Sequence, residues 1–144
     1  MHSYTVSLRI ESPTLDVSSV TEDLGVAPTQ TRAAGQYRSP TSVFEKALWE
    51  FDMVPEELDV ALENRPQWPQ WESLEAAFKK LLGIFSNHAS ILRKYGEHHQ
   101  VYSWVGHFSS SFDGGPHLSA EILKALGNFG VPVWMDTHFI DRES

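Results

Sequence analysis

Few side chains in this sequence can move a proton or hold a metal, and their spacing decides what chemistry they can share. The seven histidines are His2, His88, His98, His99, His107, His117 and His138, and there is no cysteine. Without thiols the chain has no disulfide, no thiolate zinc site and no cysteine nucleophile. A histidine metal site needs ligands that converge at a set spacing, such as HExxH on one helix face, and no such pattern occurs. One polar group is worth weighing for acid–base or metal chemistry. His107 and His138 fall on strand-like segments that can lie side by side, with Asp136 on the same strand face as His138. Surface or hydrogen-bonded structural histidines are the commoner outcome of such placements. A serine nucleophile has no GxSxG turn to present it, and SSS (109–111) reads as a strand end.

Two loops could receive an anion. In LGVAPTQTRAAG (24–35), Thr29, Thr31 and Arg32 can present donors beside a glycine-shaped backbone. Yet Gly25 already serves as a helix C-cap, Pro28 as a stop and Gly35 as a turn, and the lysine and glycine density of a phosphate loop are missing. FDGGPH (112–117) leads into a helix N-terminus, but Asp-Gly and Gly-Pro are also ordinary turn dipeptides. Both loops read as architecture first. Of the tryptophans, Trp49, Trp104 and Trp134 fall on strands and are most economically core. Trp68 and Trp71 flank Pro69 in a loop, where they are either core or the exposed anchors of a partner surface.

The elements that must position these groups follow from periodicity. Tyr4, Val6, Leu8 and Ile10 alternate with polar residues, which predicts a strand with one buried and one wet face, ended by Pro13. Asp16 caps a short helix whose Val17, Val20 and Leu24 share a face, and Gly25 closes it in the left-handed conformation with Val26 folding back. Residues 29–38 are a polar edge strand. A strand over about Val43–Met53 places Ala47, Trp49, Phe51 and Met53 on one face and Phe44 and Leu48 on the other, so both faces are covered. Pro55 with Glu56 and Glu57 starts a helix, and 54–70 as a whole is an irregular loop and candidate insertion. From Trp71 to Tyr95 apolar residues recur every three or four, the signature of a long amphipathic helix, bent near Gly83 or Ser86–Asn87. A strand over about Gln100–Ser110 carries Tyr102, Trp104 and Phe108 on one face. Ser119 then caps a helix with Ile122, Leu123 and Leu126 apolar, and Val131–Ile140 is the last strand.

At 144 residues, with 41% hydrophobic and 12% aromatic content, the chain suits one folded domain over 1–144. Its net charge is −8, from 19 acidic and 11 basic residues with no dense Lys/Arg run, which argues against nucleic acid and against an anionic membrane surface. No apolar run approaches the roughly 18–20 residues of a membrane span. Met1 leads straight into the first alternation, so the expectation is a cytoplasmic protein without a leader peptide.

The strand–helix–strand order occurs twice, with LGV (24–26) echoed by LGNFGV (126–131). The expected fold is therefore α+β: one domain, a mostly antiparallel sheet with helices on one face, related to ferredoxin-like arrangements and built from duplicated units. In order, YTVSLRI (4–10), LGVAPT (24–29), Gly35, LWEF (48–51), the helix from Trp71, and LSAEILKALGNFGVPVWMD (118–136) resemble a bacterial family known as domain of unknown function 4279. The resemblance spans almost the whole chain and implies no established activity.

Function is expected from what remains. The leading expectation is a non-enzymatic module that binds a protein partner through its acidic surface and the loop holding Trp68 and Trp71. A small-molecule pocket between sheet and long helix, with Thr29, Arg32 and Trp49 contributing, is the alternative. A hydrolase or metal enzyme built on His107, Asp136 and His138 is the third. No cofactor or metal is expected, and no residue is assigned a catalytic role.

Overall fold

The computed structural model describes residues 2–58 and 69–140. The first alternation forms β1 (His2–Ser12), the central strand of a five-stranded sheet. The others are β2 (Gln30–Arg32), β5 (Ala47–Asp52), β6 (Gln100–Ser109) and β7 (Val133–Phe139), in the order β2-β5-β1-β6-β7. Pairing is antiparallel except between β6 and β7, which run parallel. A separate two-stranded sheet joins β3 (Tyr37–Ser39) to β4 (Ser42–Val43). The strand predicted over Val43–Met53 is thus two pieces, β4 and β5, that belong to different sheets.

The helices are α1 (Val17–Leu24), α2 (Leu74–Phe85), α3 (Ala89–Tyr95) and α4 (Ala120–Phe129). Their ends follow the local chemistry. Asp16 accepts from the N–H groups of Ser18 and Ser19, Ser73 from that of Ala76, and Ser119 from that of Ile122. Gly25 closes α1 at φ 70° and Gly130 closes α4 at φ 80°, conformations that cost a side chain about 1 kcal/mol or more. The bend in the long helix falls at Ser86–His88, a single 3-10 turn between α2 and α3, while Gly83 lies inside α2.

Period-two alternation divides the sheet into two unlike faces. Tyr4, Val6, Leu8 and Ile10 of β1, Trp49 of β5 and Val105 of β6 meet Phe78, Leu81 and Phe85 of α2 with Val20, Leu92, Ile122 and Phe129 from the other helices. Leu8, Ile10, Trp49, Phe78, Leu81 and Phe85 have no exposed surface. Each such side chain supplies roughly 1.5–3 kcal/mol by leaving water. Leu123, expected on the apolar face of α4, is 53% exposed, and Phe129 takes the place it was assigned. β7 also departs from expectation: Trp134, read as core, is 41% exposed, because the strand ends the sheet. The two strand–helix–strand units differ as well. β5 lies between β1 and β2, whereas β6 and β7 pair directly.

The segment around 54–70 is pinned where it is described. Lys80 Nζ donates to the Val54 carbonyl, and Trp71 pairs with Tyr4 through both main-chain groups at 2.7 and 2.8 Å. Among the described residues no helix is long and apolar enough to cross a membrane.

Candidate functional site

The other face of the sheet carries the polar half of each alternation, and it is here that titratable groups gather. Register places Arg9 of β1 opposite Glu50 of β5, and Ser7 between Asp52 of β5 and Trp104 of β6. These residues, with Thr5 and with Gln30 at the edge, line a cavity of about 290 Å³ whose apolar wall includes Met53, Pro69 and Phe108. That is room for a ligand near the small end of the usual range.

Arg9 organises the site. Its Nε lies 2.7 Å from Glu50 Oε1, a contact that is ionic rather than an aligned hydrogen bond. Its guanidinium carbon sits 4.3 Å from the centre of the Trp104 ring, where the aromatic quadrupole favours a cation. The indole is held in turn by its Nε1–H, which donates to Asp136 Oδ2 at 2.7 Å. Gly106 makes room for it: a Cβ there would lie 2.7 Å from Trp104 Cη2 and 2.6 Å from Thr5 Oγ1.

Asp52 is the anomalous acid. Burial first, then the charge of Glu50 and a hydrogen bond shared with it, push its carboxyl up to about 7, against the opposing pull of Arg9. Near neutral pH the site therefore holds a cation, its matched carboxylate and a carboxyl in mid-titration. Such a carboxyl can donate as well as accept, and its titration near 7 suits proton transfer. Thr5 Oγ1 and Ser7 Oγ are buried beside this group with no hydrogen-bond partner among the described residues. A buried hydroxyl left so costs about 1–3 kcal/mol.

The residues singled out from sequence lie elsewhere. Trp49 is fully buried, its Nε1–H donating to Thr21 Oγ1 at 3.1 Å. Thr29 Oγ1 accepts from the Asp52 main-chain N–H at 2.9 Å, so it braces the strand behind the cavity. Arg32 stacks on Phe44 at 4.1 Å and does not line the cavity. These three do not converge. The space between sheet and α2, where a pocket was expected, is filled by Trp49, Phe78, Leu81 and Phe85, and the cavity lies on the opposite face. Trp71 packs against the core and donates to the Met53 carbonyl at 3.0 Å. Trp68 lies outside the described residues.

The histidine trio also separates. Asp136 and His138 share the open face with Trp104 and Phe108, His138 stacking on Phe108, whereas His107 points to the helix side and stacks on Tyr4. His107 belongs to a hydrogen-bonded chain instead. His2 Nε2 donates to the Asp113 carbonyl at 2.6 Å, His2 Nδ1 lies 2.8 Å from His107 Nε2, and His107 Nδ1 lies 3.3 Å from Thr137 Oγ1, so a chain of ring contacts joins the start of β1 to β6 and β7. Burial and the charge of His2 both lower the His107 pKa, consistent with a neutral ring. No three His, Asp or Glu side chains among the described residues are placed to hold a metal.

Arg9, Glu50 and Asp52 were legible only as the wet face of strands. The available signal was in LWEFD (48–52): a strand inferred to be covered on both sides, yet alternating Leu48 with two acids. Acids in such a strand must be paired or hold a proton: Glu50 is paired with Arg9, and the Asp52 carboxyl is pushed up to about 7.

No curated protein matches the chain, and no solved structure does. A family-level match is present: residues 2–140 fit the description "Domain of unknown function (DUF4279)". The match covers nearly every landmark described above, from β1 through β7, and the chain belongs to the DUF4279 family.

Proposed function

We propose that this domain binds a compact, uncharged, polar small molecule on the open face of its sheet. Two buried hydroxyls without partners, Thr5 Oγ1 and Ser7 Oγ, beside the same cavity carry this reading. Hydroxyls that pay desolvation without a hydrogen bond in the free protein recover it when a ligand supplies one. The charge balance supports an uncharged ligand. Arg9 is already matched by Glu50, and Asp52 adds no positive charge in either protonation state, so a phosphate or carboxylate would meet no spare cation. Trp104, Phe108 and Met53 give the ligand an apolar wall, which suits a molecule with both a polar edge and a hydrocarbon or ring face.

A partner-binding role through the 54–71 segment has less support, since Trp71 is committed to the core. A thermal-shift screen of monosaccharides, nucleosides and amides, set against phosphates and carboxylates, tests the proposal. Saturation at 100 times the dissociation constant adds about 2.7 kcal/mol, several degrees in a chain of this size. Thr5→Val and Ser7→Ala should abolish any shift while leaving the free protein at least as stable as the native one. A hit restricted to anions, or one that survives both substitutions, would sink the reading.

A further inference from the structure

Among the described residues, β7 ends the sheet and no other strand pairs with its outer edge. Ser103 N–H donates to the Pro132 carbonyl at 2.8 Å and Ile140 N–H to the Ser109 carbonyl at 2.7 Å, and the parallel register between them is unbroken. Even-numbered residues therefore turn their main-chain groups towards β6, and Val133, Met135, Thr137 and Phe139 turn theirs outward. Sheets normally guard such edges with lysine, proline or a bulge. VWMDTHF has none of these. Trp134 and Met135 are 41% exposed, Ile140 50% and Phe139 63%.

We propose that this edge pairs with the same strand of a second copy, antiparallel about a two-fold axis at Thr137, so that two five-stranded sheets become one. The strand supplies its own complement, and two constraints select the register. Outward-facing groups must meet outward-facing groups, so odd residues pair with odd ones, which leaves axes at Met135, Asp136 or Thr137. An axis at Asp136 sets two carboxylates directly opposite in a close pair, which is destabilising. An axis at Met135 puts Trp134 opposite Asp136 and leaves Phe139 and Ile140 overhanging. The axis at Thr137 sets Asp136 opposite His138, Met135 opposite Phe139 and Trp134 opposite Ile140, each twice. Within residues 134–140 every opposed pair is then apolar with apolar, acid with imidazole, or threonine with threonine, and only Val133 lies beyond the pairing. A strand from an unrelated chain would have to bring that pattern independently.

Sedimentation equilibrium of the full chain is the first test, with dimer expected. Thr137→Pro removes an N–H that does not serve β6, a change an edge strand tolerates. His138→Asp sets two acids opposite each other on both sides of the axis. Each variant should self-associate on the order of tenfold more weakly with unchanged circular dichroism. Asp136→His combined with His138→Asp should restore the dimer. Because the native chain has no cysteine, Thr137→Cys reads the register: the two sulfurs approach across the axis at a separation a disulfide can span. The proposal is overturned by a native chain that stays monomeric at every concentration. It is equally overturned by folded Thr137→Pro and His138→Asp proteins that remain dimers, or by Asp136→Cys cross-linking in preference to Thr137→Cys.

Discussion

Asp52→Asn should stabilise the protein at pH 8 and flatten its stability between pH 4 and 7. In the folded protein the Asp52 carboxyl is pushed from 3.8 up to about 7, chiefly by burial and then by Glu50. An acid raised in this way contributes its full stability below its unfolded pKa and loses it as pH rises through the folded one, because between the two only the folded state keeps the proton. At about 1.36 kcal/mol per pKa unit, the loss from pH 4 to above 7 is on the order of 4 kcal/mol, with solvent reaching the cavity making this an upper value. Asparagine imitates the protonated acid: it is neutral and its amide can donate to Glu50. Glu75, whose pKa is lowered by hydrogen bonds from Ser119, acts in the opposite sense, gaining stability as pH rises, and appears equally in both proteins. The difference between native and variant unfolding free energies, measured by urea denaturation at half-unit steps from pH 4 to 8, therefore isolates Asp52. A difference that stays constant across that range would refute the argument, and so would a variant less stable at pH 8.

Two further substitutions test the supports of the site. Gly106→Ala places a Cβ 2.6 Å from Thr5 Oγ1 and 2.7 Å from Trp104 Cη2. It should cost about 1–3 kcal/mol by overpacking and shift the Trp104 indole N–H resonance, and an unmoved resonance would contradict the packing described. Trp71→Ala should cost about 2–3 kcal/mol in urea denaturation, below the ~3–5 of a fully buried tryptophan, since the ring is partly exposed. A variant as stable as the native protein would mark Trp71 as a surface anchor after all.

Where local chemistry decides an element, the sequence was a reliable guide. Asp16 and Gly25, Ser119, and the alternation of Tyr4 through Ile10 each act within a few residues, and the structure uses them as expected. The failures share a cause. Trp134 read as core because strand tryptophans usually are, but burial depends on whether another strand follows β7 in the sheet, which periodicity does not encode. Phe44 lies beside Leu48 in sequence, yet β4 joins a different sheet from β5. The candidate site was hidden for the same reason. Arg9 on β1 lies 41 positions before Glu50 and 43 before Asp52 on β5, and only the antiparallel register brings them together.

The two faces of the sheet obey different rules, and the contrast bears on function. On the helix side the packing is mainly apolar, with buried His107 and Ser103 as its polar members. On the open side the fold gathers an ion pair, an acid raised to about 7 and two unpartnered hydroxyls around one cavity. A partly buried ion pair contributes little net stability, and apolar residues of similar volume in its place are often neutral or stabilising by about 1–4 kcal/mol. Departures from packing rules that cost stability are expected where a protein binds or reacts. Replacing Arg9, Glu50 and Asp52 together by leucine separates the two explanations. If the triad exists for a ligand, the triple variant should unfold at a urea concentration equal to or above the native midpoint while failing to respond to any compound found in the ligand screen. A triple variant that folds but loses several kcal/mol would instead make Arg9, Glu50 and Asp52 part of what holds β1 to β5, and the cavity beside them a by-product of that role.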